Sequence, residues 1–316
     1  MVQILRYLFV LRINCSLIET LKQPDQEIVH HLAALIAENM GGADGKAWKK
    51  AARRLASVSV DVSVDAVPLP GPPPWPVDAV VLAENPGARL GLDEHFIFEI
   101  NLFGDKIGHH FLLEYLLPAL EQAGYSRLEG QPKFGLWGNY EVAGLFCAHG
   151  ADWEPVIDEG LLSSDYFPAP DQWARDFMMS GAGKIFTRLD WIRPLAPDAA
   201  MPENGPDMPW LLAALERRMT ALKLLNKGRA TDMDALIQGI LGMEKTSWQE
   251  AVDAAQAMPA PVSVLRPVEK EHPAKAVIGR QYFSAIPPAV LPWLELASIL
   301  HLGLHTHYGY GGFSLA

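Results

Sequence analysis

An α+β fold in two successive halves is predicted by three features of the sequence. Short segments of strict apolar alternation recur, amphipathic helical stretches lie between them, and the order strand, helix, strands, helix, strand occurs twice. The first strand is expected at residues 3–14. Pro24-Asp25 then opens a helix whose Ile28, Leu32, Leu35 and Ile36 fall on one face and which stops at Gly41-Gly42. Residues 46–55 read as a short basic helix and 58–67 as a strand, while 68–76 is a proline-rich connection that no regular element tolerates. His95 to Phe103 alternates as a strand, residues 107–123 form a long apolar helix ending at Gly124, and Phe134 to Phe146 reads as a glycine-bearing strand.

Residues 147–180 are acidic and lack periodicity, so the connection between halves is expected there, giving domains 1–165 and 166–316. The second half opens with a strand at Lys184 to Arg193. An amphipathic helix follows at Trp210 to Asn226 with Arg217 and Arg218 on its polar side, then a helix at Trp248 to Ala257. Extended segments are expected at Val262 to Val268 and Gly279 to Ile286, and a helix at Pro292 to Leu302 leads into a glycine-rich tail. The repeated order is that of a tandem pair of ferredoxin-like, RRM-type domains.

Composition narrows the function classes. With 316 residues, 49% of them hydrophobic and 20% charged, the chain has material for two ordinary cores. The apolar run Ile4 to Ile13 is interrupted by Arg6 and Arg12, has no small-residue cleavage site and is too short for a bilayer, so neither a membrane partner nor a leader is expected and the cytoplasm is the default location. Cys15 and Cys147 offer neither a disulfide framework nor a zinc spacing. A net charge of −11 argues against nonspecific nucleic-acid binding, although local basic clusters remain at Lys46, Lys49, Lys50, Arg53 and Arg54 and around Arg217 and Arg218.

The tail, His301-Leu-Gly-Leu-His-Thr-His-Tyr-Gly-Tyr-Gly-Gly-Phe-Ser-Leu-Ala316, interleaves glycine, histidine and aromatic residues. Glycines at 303, 309, 311 and 312 allow backbone amides to approach an anion, and the aromatics offer stacking faces; the same composition also suits a closing strand or hairpin. His301, His305 and His307 have a spacing that admits zinc, but turns bound the segment and no carboxylate lies nearby in sequence to orient the imidazoles. No Walker-type loop, dinucleotide fingerprint, serine elbow or paired aspartate motif is present, and no cofactor is expected.

Three segments in order resemble one family. Phe96-Ile-Phe-Glu-Ile-Asn-Leu-Phe-Gly104 with its following helix, Phe186-Thr-Arg-Leu-Asp-Trp-Ile-Arg-Pro194 leading to the helix with Arg217 and Arg218, and His301 to Gly311 together resemble the CRISPR repeat-processing endoribonucleases of the RAMP superfamily. The resemblance covers about residues 80–316. It implies tandem ferredoxin-like domains that bind the repeat of precursor crRNA and cut it without metal, by attack of the ribose 2′-OH on the adjacent phosphate. A 2′,3′-cyclic phosphate and a 5′-OH result. Such chemistry needs a base of near-neutral pKa, donors or cations for the charged phosphorane, and in-line alignment.

The resemblance places a base near the first helix, where His30 and His31 stand, with His301, His305 and His307 as the competing set. His31 lies three residues after Ile28 and four before Leu35, a spacing that also suits a core histidine. His301, Gly303, Thr306, Tyr308, Gly309 and Gly311 fall on matching positions of the family loop, with His307 beside them, whereas Leu304 stands where a lysine is usual. His305 replaces that cation only when protonated, so RNA affinity is expected to rise as pH falls through about 6.5. Lys184 and Arg188 share a strand face suited to a phosphate backbone. The expected partners are CRISPR repeat RNA and other CRISPR effector subunits; the competing reading is a noncatalytic RAMP subunit that holds guide RNA.

Overall fold

The computed structural model describes residues 4–19, 24–48, 77–81, 89–103, 109–126, 135–150, 152–158, 161–163, 166–169, 172, 185–221, 247–268, 276–306 and 309–316. They fall into two compact units, the first ending with Gln172 and the second starting at Ile185.

The first unit is built around β1 (Ile4–Ile13), whose Tyr7, Phe9, Leu11 and Ile13 alternate and are wholly buried. On one side β1 runs antiparallel to β5 (His95–Phe103), with Phe9 opposite Phe98 and their rings stacked at 5.1 Å. On its other side lies β6 (Tyr140–His149). An edge strand β3 (Val77–Val81) continues the sheet beyond β5, and β7 (Asp152–Asp158) and β8 (Leu161–Leu162) continue it beyond β6. The two-residue strands β2 (Ile18–Glu19) and β4 (Arg89–Leu90) pair separately.

Helix α1 (Pro24–Met40) buries Ile28, Leu32, Leu35 and Ile36, as its spacing requires, and residues 42–48 continue helically after Gly41. A helical turn at His109–Phe111 passes through a π-turn at Leu112–Leu116 into α2 (Leu117–Tyr125). Gly124 lies inside the last turn of α2 instead of ending it. A Cβ there would sit 2.5 Å from the Tyr140 carbonyl oxygen, so glycine is what lets this helix approach β6.

Sequence reasoning missed strands β3, β7 and β8. The acidic segment expected to connect the halves contributes β7 and β8, because Pro155 and the exposed acids conceal its alternation. Pro155 faces Phe146 where the ladder shifts register, a site that tolerates a missing backbone donor. The expected strand 58–67 and most of the basic helix 46–55 lie outside the described residues.

The second unit carries β9 (Arg188–Trp191), α3 (Met208–Ala221), α4 (Trp248–Gln256), β10 (Val262–Pro267), β11 (Val277–Tyr282), α5 (Leu291–Leu300) and β12 (Phe313–Leu315). Asp207 starts α3 by accepting the Trp210 amide at 2.9 Å, and Ser247 caps α4. Seven of the ten residues of α5 are buried, with Trp293 edge-on to Trp248 at 4.7 Å. The fully buried Gln281 locks the sheet together. Its Oε1 accepts from Trp191 at 3.0 Å, and its Nε2 donates to Pro206 O at 2.7 Å and to the Ser263 hydroxyl at 3.0 Å.

In both sheets the strands are antiparallel. Counting β3, β5, β1 and β6 in one and β10, β11, β9 and β12 in the other, each shows the second, third, first and fourth strand in spatial order. No described helix is long and apolar enough to cross a membrane.

Candidate nucleic-acid interface

At the end of α5 the chain turns at His301, whose φ of 60° leaves the helix, and doubles back over the end of β9. The Leu304 amide donates to Ala196 O at 2.7 Å, the Gly311 amide to Pro194 O at 2.8 Å, and the Ile192 and Arg193 amides both donate to Gly312 O. Gly303 and Gly311 have φ of +84° and +74°, and a Cβ on Gly311 would lie 1.8 Å from Leu302 O. These glycines therefore bring the loop against its own chain. That corrects the expectation that Gly309 and Gly311 present amides to phosphate, since the Gly309 amide donates to Thr306 O and the Gly311 amide to Pro194 O. His301 and Thr306 are buried too, and the His301 ring packs against Gly312, so both shape the loop from within. The tail then closes as β12 on β9.

Two described side chains of the loop keep some solvent exposure. Leu304 is 38% exposed, and His305 is half-buried with φ of 59° and its ring edge-on to Tyr310 at 5.8 Å. Burial lowers the His305 pKa below the usual 6.5, so the ring is neutral at pH 7 and suits a proton acceptor better than a standing cation. The rise in RNA affinity expected near pH 6.5 accordingly moves to more acid conditions. His307 and Tyr308 lie outside the described residues. Because Leu304 occupies an outward position, Leu304→Lys is expected to tighten RNA binding and to steepen its salt dependence. The slope of log K on log salt should grow by about 0.7 for a single strand, measured by titration at several salt concentrations.

The cations divide by what holds them. Arg217 is bidentate on Asp198, with both contacts at 2.8 Å, and lies over the Trp210 ring. Arg218 is buried and donates from Nε to Leu300 O at 2.9 Å, satisfying a terminal carbonyl of α5. Both were expected to meet RNA; in the structure they fix the helices that carry the loop. Arg188 remains on the outer face of β9, 3.0 Å from Asp190, and Lys46 is exposed on the helical stretch 42–48. Lys49, Lys50, Arg53, Arg54 and Lys184 lie outside the described residues. Sequence reasoning passed over Arg266 and Arg280, which share the outer face with Arg188. Their alternation with apolar neighbours in two extended segments was the available signal.

His30 lies in the backbone of α1, and its side chain is outside the described residues. His31 is 3% exposed and stacked on Trp137 with ring centroids 4.0 Å apart. Neither of its ring nitrogens finds a hydrogen-bond partner, and burial lowers its pKa to about 4. A ring so enclosed has no path to a substrate proton, which makes His31 a packing residue. Replacing it with phenylalanine keeps the stack and removes two unsatisfied nitrogens, so His31→Phe should raise unfolding free energy by about 1 kcal/mol in urea denaturation. His109 is likewise internal, its Nδ1 sharing a hydrogen bond with the Tyr7 hydroxyl at 3.0 Å.

No protein-family model matches the sequence, and no protein of curated function does. Solved structures do. A chain of a partial Cas6-RT-Cas1–Cas2 complex superimposes with a TM-score of 0.54 at 11% identity, covering 100% of this chain and 46% of that one. A chain of the Cas6-RT-Cas1–Cas2 complex gives the same score and identity, with 29% of its length covered. The structural neighbours of this chain are Cas6 proteins. Thermus thermophilus Cas6 also aligns, over 100% of this chain and 99% of its own, at 9% identity and a TM-score of 0.43. The chain thus has a Cas6-like α+β fold and spans less than half the length of the two Cas6-RT-Cas1–Cas2 chains.

Proposed function

We propose that this chain is a CRISPR repeat RNA-binding endoribonuclease built from two ferredoxin-like domains, and that it processes precursor crRNA by metal-independent attack of the 2′-OH. The observation that carries the reading is a Cas6-like fold with a neutral, partly buried histidine in the loop that follows α5. The strand order shared by β3, β5, β1 and β6 and by β10, β11, β9 and β12 supports the two ferredoxin-like domains of this reading.

In this reading His305 takes the 2′-OH proton as the 2′ oxygen attacks phosphorus. The bond from phosphorus to the 5′ oxygen breaks as the 2′,3′-cyclic phosphate closes, that oxygen takes a proton from solvent water to leave as the 5′-OH, and His305 returns its proton to solvent. The phosphorane charge needs a cation. This reading assigns that role to Arg193, which follows β9 and whose amide donates to Gly312 O in the loop. His305 must be neutral to accept a proton, and its pKa is lowered by burial. Cleavage should therefore rise with pH through a midpoint below 6.5 and lose that limb in His305→Ala; single-turnover rates across pH 4.5 to 8 check this.

One observation favours the second reading, a noncatalytic subunit holding guide RNA. His31 is enclosed, and Arg217 and Arg218 are engaged within the protein. Retained binding of a repeat RNA with no cleavage under any of these conditions would select it.

A further inference from the structure

The outward face of the second unit's sheet has a composition that its fold does not require. Cross-strand partners set Val262, Tyr282 and Arg188 in one row and Val264, Arg280 and Asp190 in the next, with Arg266 beyond Val264 along β10. The opposite face, with Leu189, Trp191, Gln281 and Phe313, is buried. The outer one is open, with Val262 69%, Val264 65% and Tyr282 40% exposed. Two properties are combined on it that rarely coexist on an idle surface: an apolar and aromatic centre, and three arginines against a single aspartate among its described residues.

Asp190 organises the charge. Its carboxylate lies 3.0 Å from the Arg188 guanidinium and 3.4 Å from that of Arg280, which holds both side chains over the middle of the sheet beside Tyr282. Their charge is only half compensated there, since one carboxylate serves two guanidiniums. In a chain of net charge −11 this is a local positive field. A second copy of the same face would bring arginines against arginines, so self-association through it is disfavoured.

We propose that this open face is a platform for single-stranded RNA, on which one base stacks against Tyr282 between Val262 and Arg188 while Arg280 and Arg266 meet the phosphates. The inference rests on the RNA-processing reading and deepens it, because it assigns the unpaired nucleotides of the substrate to a surface separate from the His305 loop. The chemistry fits. Bases offer π-faces that cover exposed valine and tyrosine, arginine stacks on bases and pairs with phosphate, and an unstacked strand is the RNA form a flat sheet can accept. A duplex presents no free base faces to such a surface.

The test uses the full chain and two fluorescein-labelled RNAs, a single-stranded 12-mer of mixed sequence and a blunt hairpin of the same length, with anisotropy as readout. Tyr282→Ala is expected to weaken the single strand about tenfold, the loss of one stacked base, and to leave the hairpin within about twofold. Tyr282→Phe should retain binding, and Arg280→Ala should reduce the salt slope by about 0.7. A 4-thiouridine-substituted 12-mer should crosslink within residues 277–282. Equal single-strand affinity of wild type and Tyr282→Ala, or crosslinks confined elsewhere, overturns the platform while cleavage of repeat RNA by the same preparations keeps the RNA-processing reading intact. If sedimentation shows a wild-type oligomer that Tyr282→Ala dissolves, the face is a protein interface and the proposal is wrong. Absence of both RNA binding and cleavage in the wild type defeats the reading and the platform together.

Discussion

His305→Ala lowers the single-turnover rate of repeat-RNA cleavage by about 100-fold or more, the usual scale for a missing general base, with the affinity for uncut RNA within a few-fold of wild type. The expectation follows from position and charge state together. His305 is a partly buried side chain of the loop, held by a positive φ and the neighbouring Tyr310 ring, and burial keeps it neutral where a base must be neutral. Exogenous imidazole should restore part of the lost rate in the alanine variant, which a merely structural role of the ring would not permit. A full rate in His305→Ala, paired with a silent His30→Ala, would remove histidine base catalysis from the account. A full rate in the first and a 100-fold loss in the second would move the base to α1.

Gly311→Ala should be the most damaging change in the loop. Its φ of +74° is strained for any residue with a side chain, and the added methyl would lie 1.8 Å from Leu302 O, which is backbone and has no rotamer through which to retreat. The loop must leave its place on the Pro194 carbonyl, taking His305 with it. We expect a loss of about 3 kcal/mol or more in unfolding free energy, or, where the loop detaches without unfolding the unit, a cleavage loss matching that of His305→Ala. Urea denaturation and single-turnover kinetics on one preparation distinguish these two outcomes. Wild-type values in both would show that the loop does not take this path.

Much of the fold was legible because apolar alternation and helical spacing were strong where the core is deep. Helix α1 buries the four residues its spacing selected, and β5 spans the residues its alternation marked. What escaped was short, at an edge, or interrupted. Val77–Val81 follows a proline-rich run and offers few residues to show a period, and β7 carries a proline at a register shift.

The site was legible in a different way. Residue types located the loop, but the role of each depended on partners far away in sequence. Arg218 looks like a surface cation until Leu300 is seen to need a donor, and Arg217 until Asp198 engages it. His31 and His305 are both half-apolar in context by sequence, yet one is enclosed against Trp137 and the other, at a turn, is only partly buried. The glycines of the tail were read as room for a phosphate, and the structure fills that room with the chain's own carbonyls. Arg266, Arg280 and Tyr282 come together only through the pairing of β10, β11 and β9.

The most direct measurement is incubation of the purified chain with a labelled CRISPR repeat RNA in EDTA, followed by analysis of the new ends. Cleavage at one position, giving a 2′,3′-cyclic phosphate and a 5′-OH and abolished by a 2′-deoxy substitution at that position, is the predicted result. Recovery of the RNA uncut at protein excess, or cleavage that survives the 2′-deoxy substitution, would contradict it.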